Sequence, residues 1–75
     1  MKIEGHKHYK IEWFNDSNTC ERNHYDCRFN LQHYISKAKA YMNHFGYKKA
    51  YIFENISYED VNKELINLYK PSIIL

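Results

Sequence analysis

The sequence has little glycine, proline and cysteine: two glycines, one proline and two cysteines among its 75 residues. Gly5 and Gly46 stand far apart, which excludes a glycine-rich loop that cradles a phosphate. No run of 18 apolar residues is present, so no segment is expected to span a membrane. The opening residues MKIEGHKHYKIEW lack the apolar core of a secretory signal. We therefore expect a cytoplasmic protein with reduced thiols.

A strong excess of one charge is also missing, because the formal net charge is only +2. The charge is unevenly spread: residues 1–50 hold nine Lys and Arg against five Asp and Glu, whereas residues 51–75 hold two against four. The basic part could contact phosphates or an acidic protein. The charge is nevertheless far below that of a dedicated nucleic-acid-binding protein.

Aromatic side chains are abundant, with eight Tyr, four Phe and one Trp, and 44% of all residues are apolar. This content predicts a single domain over residues 1–75 with a core built from large side chains. Because cores of this size contribute only about 3–5 kcal/mol, a metal or a partner would add useful stability.

The first half of the chain predicts two strands. Residues 9–13 alternate apolar and charged side chains, which is typical of a strand with one face in water. The turn-forming sequence NDSN follows at residues 15–18, and the alternation of residues 25–29 predicts an antiparallel return strand.

A helix is predicted from an Asn30 cap to a Gly46 left-handed cap. Its apolar residues recur every three or four positions and form one stripe that should be buried. These residues are Leu31, Tyr34, Ile35, Ala38, Tyr41, Met42 and Phe45.

The second half predicts a central strand at residues 47–54, which are rich in aromatic and β-branched residues. A capping pattern at Ser57 and helical spacing up to Pro71 predict a second helix, and SIIL at the end could add a short strand or pack loosely against the sheet. The expected fold is α+β in the order β-β-α-β-α, with a small three-stranded sheet packed by two helices.

The segment TCERNHYDC, residues 19–27, contains both cysteines and one histidine. Cys20, His24 and Cys27 would share one side of a helical turn, and His33 could complete the four ligands that structural zinc requires. This hypothesis requires residues 20–24 to be looped or helical, because a regular strand would separate the ligands. The HxH pair at residues 6 and 8 offers substitute ligands.

Two other interpretations of the cysteines stay open. Cys27 between Tyr25 and Phe29 fits a small core side chain, so both thiols could be unliganded, and a Cys20–Cys27 disulfide is a third possibility. A Cys20–His24 nucleophile would lack an orienting group and an oxyanion hole, and we expect a protein that is not an enzyme.

A surface of basic and aromatic residues is the expected binding region. Arg and Tyr dominate binding hot spots, and lysines interleaved with tyrosines can hold single-stranded nucleic acid. The candidate partner-binding residues are Arg22, Arg28, Tyr47, Lys48, Lys49 and Tyr51.

In its length, Asn-, Lys-, Ile- and Tyr-rich composition, α+β layout and lack of a catalytic motif, the chain resembles small proteins that phages and mobile elements use against host defences. These include inhibitors of type II CRISPR nucleases. The resemblance implies stoichiometric binding that occupies a nucleic-acid surface of a nuclease or blocks its conformational change. The positive charge departs from the acidic DNA mimics among such proteins.

The leading expectation is thus a non-enzymatic binding protein that inhibits or modulates a larger protein or ribonucleoprotein. The alternative is a small nucleic-acid-binding or transcription-modulating module that uses Arg22, Arg28, Lys48 and Lys49.

Overall fold

Four antiparallel strands form one sheet in a computed structural model, which describes residues 8–75. β1 lies at the centre between β2 and β3, and β4 pairs with the other edge of β3, giving the order β2-β1-β3-β4. The bounds are Tyr9–Phe14 for β1, Cys20–Asp26 for β2, Lys49–Glu54 for β3 and Ile73–Ile74 for β4. The α+β class is confirmed, and β3 pairs on both sides, as predicted for a central strand. The predicted three-stranded sheet is wrong, because the terminal segment adds β4 as a fourth strand.

One α-helix, α1 at Leu31–Phe45, follows β2, and both of its predicted caps are confirmed. The Asn30 side chain accepts a hydrogen bond from the backbone N–H of His33 at 3.1 Å. Gly46 adopts φ 76°, a left-handed conformation that costs little without a Cβ, and its N–H donates to the Met42 carbonyl at 2.9 Å.

The larger core lies between α1 and the sheet. Trp13 at the centre of β1 is fully buried, stacks on Tyr41 at 5.1 Å between ring centroids, and donates its indole N–H to the Ala38 carbonyl at 3.1 Å. Tyr9 packs against Tyr34 at 4.6 Å. The predicted buried stripe is confirmed along most of α1, but its last member, Phe45, is 47% exposed.

The predicted second helix is wrong. Two 3₁₀ turns, Tyr58–Asp60 and Leu65–Asn67, stand where it was expected. In an α-helix the Leu65 N–H would bond the carbonyl four residues earlier, but here it donates to Glu12 at 2.7 Å. The Lys63 carbonyl accepts from the Lys10 ammonium group. Contacts with the sheet therefore replace helical hydrogen bonds.

The prediction that β1 has one face in water is also wrong, because all six of its residues are buried. Lys10 is 2% exposed and Glu12 is 1% exposed. The segment of residues 56–69 covers this second face, where Phe53, Ile56 and Leu65 form a smaller core. The sheet is thus covered on both sides.

The return strand begins earlier than predicted. β2 covers Cys20–Asp26, whereas residues 27–29 lie beyond it. A bulge interrupts its pairing with β1: Trp13 lies opposite Arg22, but Phe14 lies opposite Cys20, so Glu21 is the extra residue. The bulge decides which side chains of β2 share a face.

Within residues 8–75, no helix combines the length and the apolar character needed to cross a bilayer.

Candidate binding surface

Arg22 and three aromatic residues form a cluster at the end of the sheet where α1 finishes. The Arg22 Nε–H donates to the Tyr47 hydroxyl at 3.1 Å. The Arg22 guanidinium carbon lies 4.5 Å from the centroid of the Phe45 ring and 5.3 Å from that of Tyr41. We call Arg22, Tyr41, Phe45 and Tyr47 the Arg22 cluster. Its cation–π contacts hold an exposed guanidinium in one position.

Core packing supports the Arg22 cluster from beneath. Trp13 contacts Tyr41 at 5.1 Å and Tyr47 at 6.2 Å between centroids. Phe45 lies within 5.7 Å of both tyrosine rings, yet its own side chain remains 47% exposed. The Arg22 cluster is consequently held in place by core side chains, and it presents one apolar ring and one cation to solvent.

Lysines add positive charge around the Arg22 cluster. The Lys37 ammonium lies 5.2 Å from the Tyr41 ring centroid. Lys48 follows Tyr47 in the chain, and its ammonium lies 3.8 Å from a carboxylate oxygen of Asp16, with both side chains largely exposed. Such an exposed pair is weak and screened by salt, so Lys48 remains available to another anion.

The six predicted partner-binding residues do not share one surface. Lys49 and Tyr51 point to the face away from α1, where the Lys49 ammonium lies 5.6 Å from the Phe14 ring and 5.4 Å from the Tyr51 ring. Arg28 lies at the opposite end of the sheet, where it binds Asp26 at 3.0 Å and covers the Phe29 ring. The contacts among the six are therefore the Arg22–Tyr47 hydrogen bond on the α1 face and the Lys49–Tyr51 contact on the other face.

Sequence reasoning missed Phe45 as an exposed residue and Tyr41 as its neighbour in the cluster, because both belong to the apolar stripe of α1. The one local signal is the position of Phe45 beside the Gly46 cap, at the very end of the helix.

The predicted zinc ligands do not come together. Residues 20–24 lie in β2, with a bulge at Glu21, so the prediction that they are looped or helical is wrong. The bulge places Cys20 opposite Phe14 and His24 opposite Ile11, on different faces of the sheet. Cys27 lies beyond the strand, and His33 stacks on Phe29 at 4.2 Å.

Among residues 8–75, no group of three or more His, Cys, Asp or Glu side chains could hold a metal ion. Of the substitute ligands, His6 lies outside the described residues, and His8 Nδ1 shares a hydrogen bond with the Tyr25 hydroxyl.

Both cysteines are free thiols. Cys20 begins β2 and Cys27 follows its last residue, so a seven-residue strand of about 20 Å separates them, whereas a disulfide requires Cα atoms within about 7 Å. Burial raises the pKa of the Cys20 thiol, with a further increase from Glu12, and the Cys20 S–H donates to the Arg22 carbonyl at 3.5 Å. Because His24 lies on the other face, it cannot serve as the base for Cys20.

Comparisons with known proteins give no relative: no family model matches the chain, and no curated protein or solved structure is significantly similar to it.

Proposed function

We propose that this protein is a non-enzymatic binding protein that inhibits or modulates a larger protein, and that it docks through the Arg22 cluster. The observation that carries the proposal is the Arg22 guanidinium held against Phe45, a ring 47% exposed at the rim of the core. Arg and aromatic residues dominate binding hot spots, and a side chain already fixed in place loses little entropy on binding.

The charge of this surface favours an acidic region of a protein as the occupant. Arg22 lies against the exposed Phe45 ring, and Lys37 lies beside the neighbouring Tyr41 ring. A partner with carboxylates around an apolar pocket would match both features, since a carboxylate can accept two guanidinium hydrogen bonds. The resemblance to small anti-defence proteins names a host nuclease as the first partner to examine.

The test is affinity capture from a host lysate, followed by measurement of Kd with the captured protein in purified form. We expect Phe45→Ala and Arg22→Ala each to weaken binding about tenfold or more, which corresponds to about 1.4 kcal/mol.

Phe29→Ala is the matched control, because Phe29 is also 47% exposed but precedes the other end of α1. It should leave Kd unchanged, and circular dichroism should show all three variants folded. Equal losses from Phe29→Ala and Phe45→Ala would reject the Arg22 cluster as the binding surface.

Single-stranded nucleic acid is the second candidate ligand, and one feature favours it. The Lys49 ammonium lies beside the Phe14–Tyr51 ring pair, 5.6 Å from one centroid and 5.4 Å from the other, an arrangement that offers a charge beside aromatic rings. Phosphate binding should weaken steeply with salt, with a slope of about 0.7 per neutralised phosphate on a single strand. Binding of a labelled oligonucleotide that is insensitive to salt, or to Lys49→Ala, would exclude this function.

A further inference from the structure

The outer edge of β2 carries backbone hydrogen-bonding groups that no strand of residues 8–75 pairs. β2 is an edge strand, because β1 is its one neighbour in the sheet order β2-β1-β3-β4 of the described chain. Successive residues of an antiparallel strand point their N–H and C=O groups to opposite sides. The groups of every second residue of β2 therefore point away from the sheet.

The pairing of β1 shows which residues of β2 these are. At the end of β1, the Phe14 carbonyl accepts from the N–H of the residue just before β3 at 2.9 Å. Even-numbered residues of β1 thus point their backbone groups to β3, and odd-numbered residues point theirs to β2. Ile11 lies opposite His24, so the His24 backbone bonds to β1. Its neighbours Asn23 and Tyr25 consequently point their N–H and C=O groups outward.

Within residues 8–75, nothing pairs with this edge. The backbone groups of Asn23 and Tyr25 have no hydrogen-bond partner there, and Asn23 is exposed. Sheets commonly block an edge with proline, lysine or a very short strand. The other edge, β4, has two residues and follows Pro71, whereas β2 has seven residues with neither proline nor lysine. The Glu21 bulge, where the carboxylate accepts from the Asn15 amide at 2.9 Å, limits regular pairing to the rest of β2.

The α1 face beside this edge favours a negatively charged strand. The Arg22 guanidinium carbon and the Lys37 ammonium lie 5.3 and 5.2 Å from the centroid of the same Tyr41 ring. Neither cation forms an ion pair within the described residues. Asp26, the carboxylate of β2 on this face, is 6% exposed and is neutralised by Arg28 at 3.0 Å. Two uncompensated cations therefore lie along the α1 side of β2.

We propose that the partner of this protein adds an extended acidic segment to the outer edge of β2 as an antiparallel strand. The backbone groups of Asn23 and Tyr25 bind its main chain, and its acidic side chains lie on the α1 face beside Arg22 and Lys37. Antiparallel pairing matches every strand pair of the described sheet and is more stable per residue than parallel pairing. The proposal rests on the binding function proposed above and specifies the form that the partner takes next to the Arg22 cluster.

The probe is a short capped peptide that alternates glutamate with valine in equal number. With its glutamates on the α1 face of an antiparallel pair, the glutamate N–H groups point away from β2 and the valine N–H groups point toward it. A peptide N-methylated at every glutamate should therefore bind like the unmethylated one. Its isomer N-methylated at every valine should bind about tenfold more weakly or worse. Equal binding of the two isomers, or tighter binding of the valine-methylated one, would overturn the proposal.

Asn23→Pro removes one outward N–H and keeps every hydrogen bond to β1, and proline is tolerated at a sheet edge where the N–H faces solvent. It should weaken peptide binding by about tenfold or more. Asn23→Ala is the matched control, because it keeps the N–H and loses only an exposed side chain, and it should bind like the wild type. Equal affinities for the two variants would reject the edge as the site. If circular dichroism shows Asn23→Pro unfolded, the methylated peptides decide the question on the wild-type protein.

Hydrogen exchange followed by NMR locates the added strand. The Asn23 and Tyr25 amides should exchange fast in the free protein and about tenfold more slowly or less at saturating peptide, whereas the His24 amide should be slow in both states. Unchanged exchange at Asn23 and Tyr25 would overturn the proposal.

The failure of strand addition and the failure of the docking surface are separable with the captured partner. If Phe45→Ala weakens its binding and Asn23→Pro does not, the docking surface stands and strand addition is rejected. If Asn23→Pro weakens its binding and Phe45→Ala does not, the reverse holds. A dimer in sedimentation that Asn23→Pro dissociates would also reject the proposal, because a second copy of the chain would then occupy the edge.

Discussion

The two faces of the sheet are covered by different kinds of contact. On the α1 face, Trp13, Tyr34 and Ala38 meet as fully buried apolar side chains, and the helix is regular from cap to cap. On the other face, an irregular segment covers Lys10 and Glu12. Lys10 donates a hydrogen bond to this segment and Glu12 accepts one from it, and these bonds replace the backbone hydrogen bonds of a helix.

The comparison shows why one covering segment, α1, is a regular helix while the other, residues 56–69, is irregular. α1 satisfies its backbone groups within the helix and its caps, and it contacts the core through side chains and the Ala38 carbonyl, which also accepts from Trp13. The 56–69 segment exposes backbone groups to the sheet, and the buried Lys10–Glu12 pair satisfies two of them. Charged groups in the sheet therefore substitute for regular secondary structure on that side.

Trp13→Ala should produce the largest effect, since it removes the side chain at the centre of the α1 face. Loss of a buried tryptophan costs about 3–5 kcal/mol, and this one also provides a donor to the Ala38 carbonyl. We expect a loss of about 4 kcal/mol in the free energy of unfolding, measured by urea denaturation. A loss below about 1 kcal/mol, as expected for the exposed Phe29→Ala control, would show that the apolar face does not dominate stability.

Lys10→Met tests the charged face and should cost about 3 kcal/mol, because it leaves the Glu12 carboxylate buried without a counter-ion. The double variant Lys10→Met with Glu12→Gln removes both charges and keeps an acceptor for the Leu65 N–H. It should recover about half of that loss or more, because neutral groups are cheaper to bury than an unpaired charge. If the two single effects simply add in urea denaturation, the pair is not coupled, and the explanation for this face fails.

The fold could be predicted from the sequence where the determining contacts are local. The caps of α1 depend on Asn30 with His33 and on Gly46 with Met42, all neighbours in the chain. The irregular segment could not be predicted, because the Leu65 N–H bonds to a carboxylate 53 residues away. Helical spacing cannot reveal a competing acceptor at that distance.

The binding surface was predicted only in part for a related reason. Composition identified Arg22 and Tyr47 as separate candidates, but their contact depends on the bulge at Glu21, which sets the face on which Arg22 lies. The same bulge separates Cys20 from His24. The helical spacing predicted that Phe45 is buried. Such spacing shows which side of a helix packs, but it does not show where the sheet beneath the helix ends.

The α1 face also has a polar contact, but at its edge, and this contact has a smaller expected effect. Asp26 ends β2 and is 6% exposed; its carboxylate accepts hydrogen bonds from the Arg28 guanidinium and the backbone N–H of Cys27. The pKa of Asp26 is well below its ordinary value of 3.8, mainly because the carboxylate accepts hydrogen bonds from Arg28. Because the folded-state pKa of this carboxyl group is below its unfolded pKa, the ionised group stabilises the fold fully at pH values above the unfolded pKa. This contribution is lost as the pH falls from the unfolded pKa toward the folded-state pKa.

Asp26→Asn should therefore cost about 1–2 kcal/mol at pH 7 and flatten the decline in stability below about pH 4, because the variant has no carboxyl group to protonate at this position. Burial lowers the pKa of His24 from 6.5, so His24 can add to the acid dependence. The Asp26 effect is therefore taken as the difference between variant and wild type, measured by urea denaturation between about pH 2 and 5. Asp16→Asn, at an exposed position, should leave the decline in stability at low pH (the acid limb) unchanged. An unaltered acid limb in Asp26→Asn would show that charged contacts at the edge of the α1 face contribute nothing, leaving that face purely apolar.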